Sequence, residues 1–227
     1  MIFKAILVTL SLFIGTSCQS HVEKKESGQE PQKKEQITKL TSQDLDKFET
    51  AYFASGCFWC VEAIFESVKG VKEVVSGYSG GTEKNPTYEQ VGGGMTSHAE
   101  AVKVYYDPEV ISFTALVQVF FGSHDPTTLN IQGPDRGTQY RSVAFYKTNK
   151  EKQIIEGYIK ALKDQNVYDG APITTEVTEF TKFYDAEDYH QDYERKHPKN
   201  SYITNVSVPR LNRFKENFKE YLKEDAH

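Results

Sequence analysis

Along most of this chain, short runs that alternate apolar and polar residues take turns with segments whose apolar residues recur three and four apart. That interleaving restricts the fold to mixed α and β. Ala51-Tyr52-Phe53-Ala54 reads as a strand ending at Ser55-Gly56, and Val61, Ile64, Phe65 and Val68 follow at helical spacing with Gly70 as a stop. Val71 to Tyr78, Glu100 to Tyr106, Ser142 to Tyr146 and Thr174 to Phe180 read as further strands. Three more helices are marked by Leu116, Val117, Phe120 and Phe121, by Ile154, Ile155, Tyr158 and Leu162, and by Leu211, Phe214, Phe218 and Tyr221. The sequence contains no internal repeat.

The first 45 residues do not share this pattern. Lys4, the run of apolar and small residues from Ala5 to Ile14, and Gly15-Thr16-Ser17 before Cys18 are the parts of a secretory signal. A cysteine directly after the small residues resembles the bacterial lipoprotein signal, in which that cysteine is lipidated, although Gly15 stands where a large aliphatic residue is usual. The alternative is plain secretion with cleavage near Cys18. Residues 19–45, beginning QSHVEKKESGQEPQKKEQITKLTS, offer almost nothing to bury and are expected to form a disordered polar tether. The expected organisation is a signal segment over 1–18, a tether over 19–45 and a globular domain over 46–227. The chain is thus expected to be exported and membrane-anchored, facing the periplasm or the cell exterior.

Composition narrows the function. The net charge of −5 is spread without a basic stripe, so no nucleic-acid partner is expected. No apolar run reaches the roughly 20 residues that span a bilayer. Three cysteines make no disulfide scaffold, so each needs its own explanation. Cys18 belongs to the export signal. Cys57 and Cys60 lie in Gly56-Cys57-Phe58-Trp59-Cys60-Val61-Glu62, where a strand hands over to a helix. The unpaired N–H groups and dipole of a helix start favour a thiolate, the nucleophilic form of cysteine. A C-x-x-C pair serves metal binding or thiol redox chemistry. A structural zinc site needs four ligands, and no second C-x-x-C or H-x-x-x-H is present, so neither a metal nor a cofactor is expected. Redox use leaves a thioredoxin-type thiol–disulfide oxidoreductase against a substrate-specific reductase.

Gly56-Cys57-Phe58-Trp59 with Val61-Glu62 resembles the active-site signature of the A-type peptide methionine sulfoxide reductases. The likeness continues through Gly77-Tyr78-Ser79-Gly80-Gly81, Asn85-Pro86-Thr87-Tyr88, His98-Ala99-Glu100-Ala101-Val102 and Tyr106-Asp107-Pro108. It runs on through His124-Asp125-Pro126, Gln132-Gly133, Asp135 to Ser142, Phe183-Tyr184 and Ala186 to Gln191, covering residues 46 to 210. The resemblance implies an α+β fold, a two-layer α/β roll around a mixed sheet with a ferredoxin-like core. It implies reduction of the S epimer of free or peptide-bound methionine sulfoxide, with oxidised proteins as substrates, by a monomer that a thioredoxin-like reductant regenerates.

Site roles follow from the same resemblance. Cys57 is the nucleophile and Glu100 the acid for the sulfoxide oxygen, helped by the hydroxyls of Tyr88 and Tyr140. Asp135 is a hydrogen-bonding site residue, and Phe58 and Trp59 wall the niche for the methyl group. Many relatives carry Gly where this chain has Cys60 and keep a resolving cysteine in the C-terminal tail. This chain has Tyr202-Ile203-Thr204-Asn205 there and no cysteine after Cys60, so the resolving role falls to Cys60 and the place of Tyr202 is open. His98, His124 and His190 are expected to be structural.

Overall fold

The computed structural model describes residues 40–224. The signal segment, Cys18 and the tether up to residue 39 lie outside the described residues. The helical turn Ser42–Leu45 falls inside the stretch expected to lack structure. Its cause is local: the Thr41 hydroxyl accepts from the Asp44 N–H at 3.3 Å while the Asp44 carboxylate accepts from the Thr41 N–H at 3.2 Å, a reciprocal cap.

The main sheet has six strands, β1 (Glu49–Ser55), β2 (Val71–Ser79), β3 (Ala99–Tyr106), β4 (Ser142–Tyr146), β5 (Glu176–Glu179) and β6 (Phe183–Asp185), in the order β5-β4-β1-β3-β2-β6. The β4–β5 pair is parallel and the others are antiparallel, so the sheet is mixed. The strand β6 was not legible as a strand. It pairs with β2 because Gly77 has no side chain; a Cβ there would lie 2.3 Å from the Tyr184 carbonyl oxygen and 2.4 Å from the Phe183 ring.

Alternation sorts the residues of β1 and β3 between two faces. Ala51, Phe53, Val102, Val104 and Tyr106 join the main core, and Tyr52, Ala54, Ala99 and Ala101 join a smaller cluster on the other side. Four helices pack on the main face: α1 (Phe58–Glu66), α2 (Phe113–Gly122), α3 (Asn149–Asp164) and α4 (Val208–Asn217). Phe53 stacks between Phe65 of α1 and Phe120 of α2, with ring centroids 5.2 and 5.0 Å away. Truncating such a residue to alanine costs about 3–5 kcal/mol. The other face carries no helix layer. It is covered by Phe180, stacked at 3.7 Å on Tyr52, and by Phe183. The fold is the two-layer α+β arrangement expected.

The last helix ends sooner than its apolar spacing suggests. Phe218 leaves helical geometry at φ −127 and lays its ring on Gly122 of α2, and Tyr221 lies in a separate 3-10 turn.

Helix α1 also carries Glu62, buried to 2% exposure, whose Oε1 accepts the Asp192 N–H at 3.1 Å. Burial pushes this carboxyl up to about 8 from an ordinary 4.5. A carboxyl whose folded-state value is raised contributes stability in full below its unfolded value and loses it as pH rises through the folded one. Urea unfolding should therefore show the protein weakening from pH 5 to pH 8.5. The variant Glu62→Gln, which keeps an acceptor oxygen and has no charge to bury, should weaken less. Parallel curves for the two proteins would remove Glu62 as the cause.

Candidate active site

Gly56 turns the chain from β1 into α1. Its φ of +87 suits glycine, and a Cβ there would sit 2.7 Å from Gln132. The turn puts Cys57 at the N-cap of α1, where its carbonyl accepts the N–H groups of Cys60 and Val61 at 3.2 and 3.3 Å. The N–H of Phe58, one of the groups a helix start leaves without an internal partner, donates to Glu100 Oε2 at 3.0 Å. Glu100 comes from β3, opposite Tyr78 of β2, on the side of that strand that faces the main core. At 2% exposure it is among the most buried ionisable groups described. Burial pushes its carboxyl up to about 8 against the pull of the Phe58 N–H, with the charges of Asp135 and Cys60 adding to the rise. Glu100 is therefore a proton-bearing acid at neutral pH.

The two thiols are both buried and reduced. Burial raises Cys57 above the ordinary thiol range, and its hydrogen bond to Cys60 and the Glu100 charge act in the same direction. That hydrogen bond, and then the Arg210 cation, draw Cys60 down to about 7. The helix start was expected to favour a thiolate on Cys57. Burial works against it, pushing Cys57 up while the hydrogen bond between the thiols draws Cys60 down.

Around this pair stands an aromatic wall. The Phe58 ring is 1% exposed and lies 6.0 Å from Tyr78, 6.4 Å from Tyr88 and 5.0 Å from His190, between ring centroids. Trp59 stacks on Tyr193 at 3.8 Å, meets the Tyr202 ring edge-on at 5.9 Å, and donates its indole N–H to His190 Nδ1 at 3.1 Å. A stacked aromatic pair is worth about 0.5–1.5 kcal/mol beyond its buried area, enough to fix the indole plane. Tyr88 opens the short helix Tyr88–Gly92 behind a capping box of Thr87 and Gln90. Burial first, and then the charges of Glu100 and Cys57, raise its hydroxyl to about 12, and Tyr140 is raised by the same causes. Both hydroxyls stay protonated, and both feel the charges of Glu100 and Cys57.

Asp135 and Tyr202 are joined directly: the tyrosine hydroxyl donates to Asp135 Oδ2 at 2.5 Å and lies 3.9 Å from Cys60 Sγ. The contact sets the Tyr202 hydroxyl beside Cys60. Of the three histidines expected to be structural, His98 braces a loop through the Gly81 N–H and Glu83 carbonyl, and His124 links the Phe120 carbonyl to Ser142. His190 also holds structure, but at the site itself. Its Nδ1 holds Trp59, and its ring forms part of the wall beside Phe58 and Tyr88. Its place in the Ala186 to Gln191 block next to the site was the available signal. One carboxylate group among the described residues could reach a common cation, namely Glu62, Glu66 and Asp192. Arg195 and Lys196 already pair with Asp192 there.

The sequence profile described as peptide methionine sulfoxide reductase matches residues 49–222. The peptide methionine sulfoxide reductase MsrA of Polynucleobacter asymbioticus is 42% identical over 82% of this chain and 97% of its own. That of Haloquadratum walsbyi is 48% identical over 77% of this chain and 98% of its own. Among solved structures, reduced Mxr1 from Saccharomyces cerevisiae superposes with a TM-score of 0.64 at 34% identity, covering 73% of this chain and 92% of that one. Methionine sulfoxide reductase A of Corynebacterium diphtheriae does so with a TM-score of 0.61 at 36% identity, covering 67% and 76%. With its site assembled on the matched residues, this chain belongs to the peptide methionine sulfoxide reductase family.

Proposed function

We propose that this methionine sulfoxide reductase uses Cys57 as nucleophile, Glu100 as the acid for the sulfoxide oxygen, and Cys60 as the thiol that resolves the intermediate. The observation that carries the reading is the buried Glu100, neutral at neutral pH and bonded to the N–H of the residue after Cys57. A sulfoxide sulfur becomes open to attack once its oxygen is protonated or strongly hydrogen-bonded. Glu100 supplies the proton, and Tyr88 and Tyr140 add donors whose hydroxyls are held protonated. Phe58 and Trp59 receive the methyl group, where sulfur–aromatic contacts of roughly 0.3–1.5 kcal/mol orient it. One donor cluster and one apolar niche accept a chiral sulfur in a single hand, the S epimer. Asp135 holds the Tyr202 hydroxyl beside the cysteines.

Attack of Cys57 on the sulfoxide sulfur, with the oxygen passing to Cys57, releases methionine and leaves a sulfenic acid. Cys60 then displaces the oxygen as water and closes a disulfide. A thioredoxin-like dithiol reopens it, becoming a disulfide itself. The enzyme acts as a monomer on oxidised proteins and peptides.

Four experiments bear on this. Cys57→Ser should abolish methionine release. Cys60→Ser should release about one methionine per enzyme and then stall with a thioredoxin-type reductant. Sustained turnover by that variant would remove Cys60 from the resolving role, and equal turnover of the R epimer by the native enzyme would remove the epimer assignment. In single-turnover assays, methionine release should fall as pH rises through about 8, where Glu100 loses its proton. Glu100→Gln should slow it by about 10²–10⁴-fold and lose that alkaline limb. A limb unchanged in the variant would assign it to another group.

We propose as well that the chain is exported and lipidated at Cys18, on the support of Lys4, the apolar stretch to Ile14 and Gly15-Thr16-Ser17. Cells fed labelled fatty acid should label the native protein and not Cys18→Ser. Equal labelling would show the signal to be misread.

A further inference from the structure

We infer that Arg210 is a positioning residue for the second half of the reaction, its buried guanidinium serving as the counter-charge that holds Cys60 as the thiolate that closes the disulfide. The inference rests on the resolving role of Cys60 and adds the group that makes that role work.

Arg210 lies on α4 at 6% exposure. Its Nε donates to the Ser123 carbonyl at 2.8 Å and one Nη to the Ser55 carbonyl at 3.0 Å. Two carbonyls fix the plane of the group and bring no charge. None of the ion pairs among the described residues includes Arg210. A buried cation without a counter-ion is strongly disfavoured, so the surroundings of Arg210 should contain an anion. It shares a cavity of about 170 Å³ with Cys60, Asp135 and Tyr202. Asp135 is engaged by the Tyr202 hydroxyl. That bond leaves the carboxylate its charge, so Arg210 faces two acids across this cavity, Asp135 and the Cys60 thiol, and its charge draws both down.

The groups facing Cys60 agree. Cys57 donates a hydrogen bond from its own helix, and Tyr202 and Ser207 offer hydroxyls from the chain leading into α4. Glu100 faces it from β3 and is neutral at neutral pH, and Asp135 faces from the short hairpin Ile131–Gln132 and Asp135–Arg136. Two arginines line this cavity, and Arg210 is the buried one while Arg213 is exposed. His124, beside Arg210, is held neutral by burial and by that same cation, at about 3, so it adds no positive charge of its own. The chain between Tyr202 and Arg210 is wound as a π-helix over Ile203–Ser207, a distortion that recurs at functional sites. It sets Tyr202, whose hydroxyl lies 3.9 Å from Cys60 Sγ, and Arg210 on one continuous segment that lines the cavity with Cys60.

The step this serves is balanced. The Cys60 thiolate attacks the sulfur of the Cys57 sulfenic acid, an S–S bond forms, the S–O bond breaks, and the departing hydroxide takes a proton to leave as water. Closure removes the thiolate partner of Arg210, so the same cation favours the dithiol and eases reopening by the external reductant.

The test uses the full-length reduced enzyme. Alkylation by iodoacetamide at graded pH, with peptide mass mapping, should modify Cys60 at lower pH than Cys57. In Arg210→Met the Cys60 midpoint should rise by about one unit or more, and disulfide closure after a single turnover should slow roughly tenfold or more relative to methionine release. Arg210→Lys, which keeps the charge, should recover most of both. Cys57 titrating first in the native enzyme would overturn the inference even if Arg210→Met fails to fold. A folded Arg210→Met with a native Cys60 midpoint and native closure rate would overturn it too. Continued thioredoxin-driven turnover by Cys60→Ser would instead defeat the resolving role on which the inference stands, so the two failures are distinguishable.

Discussion

The hydrogen bond from the Phe58 N–H to the Glu100 carboxyl joins the start of α1 to the middle of the sheet, and the rest of the site takes its coordinates from it. The N–H comes from the helix turn that Cys57 caps, and the carboxyl comes from a strand whose register with β2 is fixed over eight residue pairs. Each end needs the other. The N–H would otherwise be a buried donor without a partner, and the carboxyl a buried acid without any acceptor contact. A single N–H does not offset burial, which is why Glu100 keeps its proton. The contact thus does structural and chemical work together, fixing where the nucleophile stands and leaving an acid beside it.

The aromatic wall depends on a second tie. The segment carrying His190 and Tyr193 grips Trp59 at its indole N–H and its ring face, and that segment is pinned from both sides. Glu187 takes the Tyr78 hydroxyl at 2.8 Å and the Tyr88 N–H at 3.0 Å. Glu62 takes the N–H of Asp192, whose left-handed φ of 56 turns the chain toward Tyr193. Glu62 lies one helical turn beyond Trp59, so the helix that presents the indole also holds the segment that clasps it. If Phe58 and Trp59 receive the methyl group as proposed, substrate recognition is in this sense built into α1.

Much of this was legible from residues alone. Strand alternation in Glu100 to Tyr106 marks a half-buried strand, and Val102, Val104 and Tyr106 face the helices. Glu100 alone reads as an exposed strand glutamate and takes its role only from the family resemblance. The strands and helices with strong apolar periods lie where the pattern puts them, because burial on one face is what that period records. What could not be read depends on contacts distant in sequence. The strand β6 exists because Gly77 admits a backbone more than a hundred residues away. The end of α4 is set by the fit of Phe218 to Gly122. His190 looks like any core histidine until Trp59 is set against it. The helix-start argument for a Cys57 thiolate was sound locally and lost to burial, a term that a local sequence does not contain. The C-x-x-C pair alone allowed a general thiol–disulfide oxidoreductase, and that reading has no use for a buried neutral glutamate beside the first cysteine.

Placing both thiols in one helical turn changes what the fold must do to reset. Residues three apart on a regular helix hold their Cβ atoms about 5–6 Å apart, whereas a disulfide brings them to about 3.8 Å. The first turn of α1 must therefore tighten or unwind when the bond closes. It can, because its N–H groups are paired with a side chain and with the Cys57 carbonyl and not with a preceding helical turn. Trp59 lies between the two cysteines, so the residue that shapes the methyl niche sits on the piece of backbone that moves. A resolving cysteine in a mobile tail must travel to the site, but it can leave the niche alone. Here no tail needs to travel, and reset and substrate recognition share one turn of helix. In the proposed sequence methionine leaves before the bond closes, so closure reaches the Trp59 clasp only after the niche has emptied.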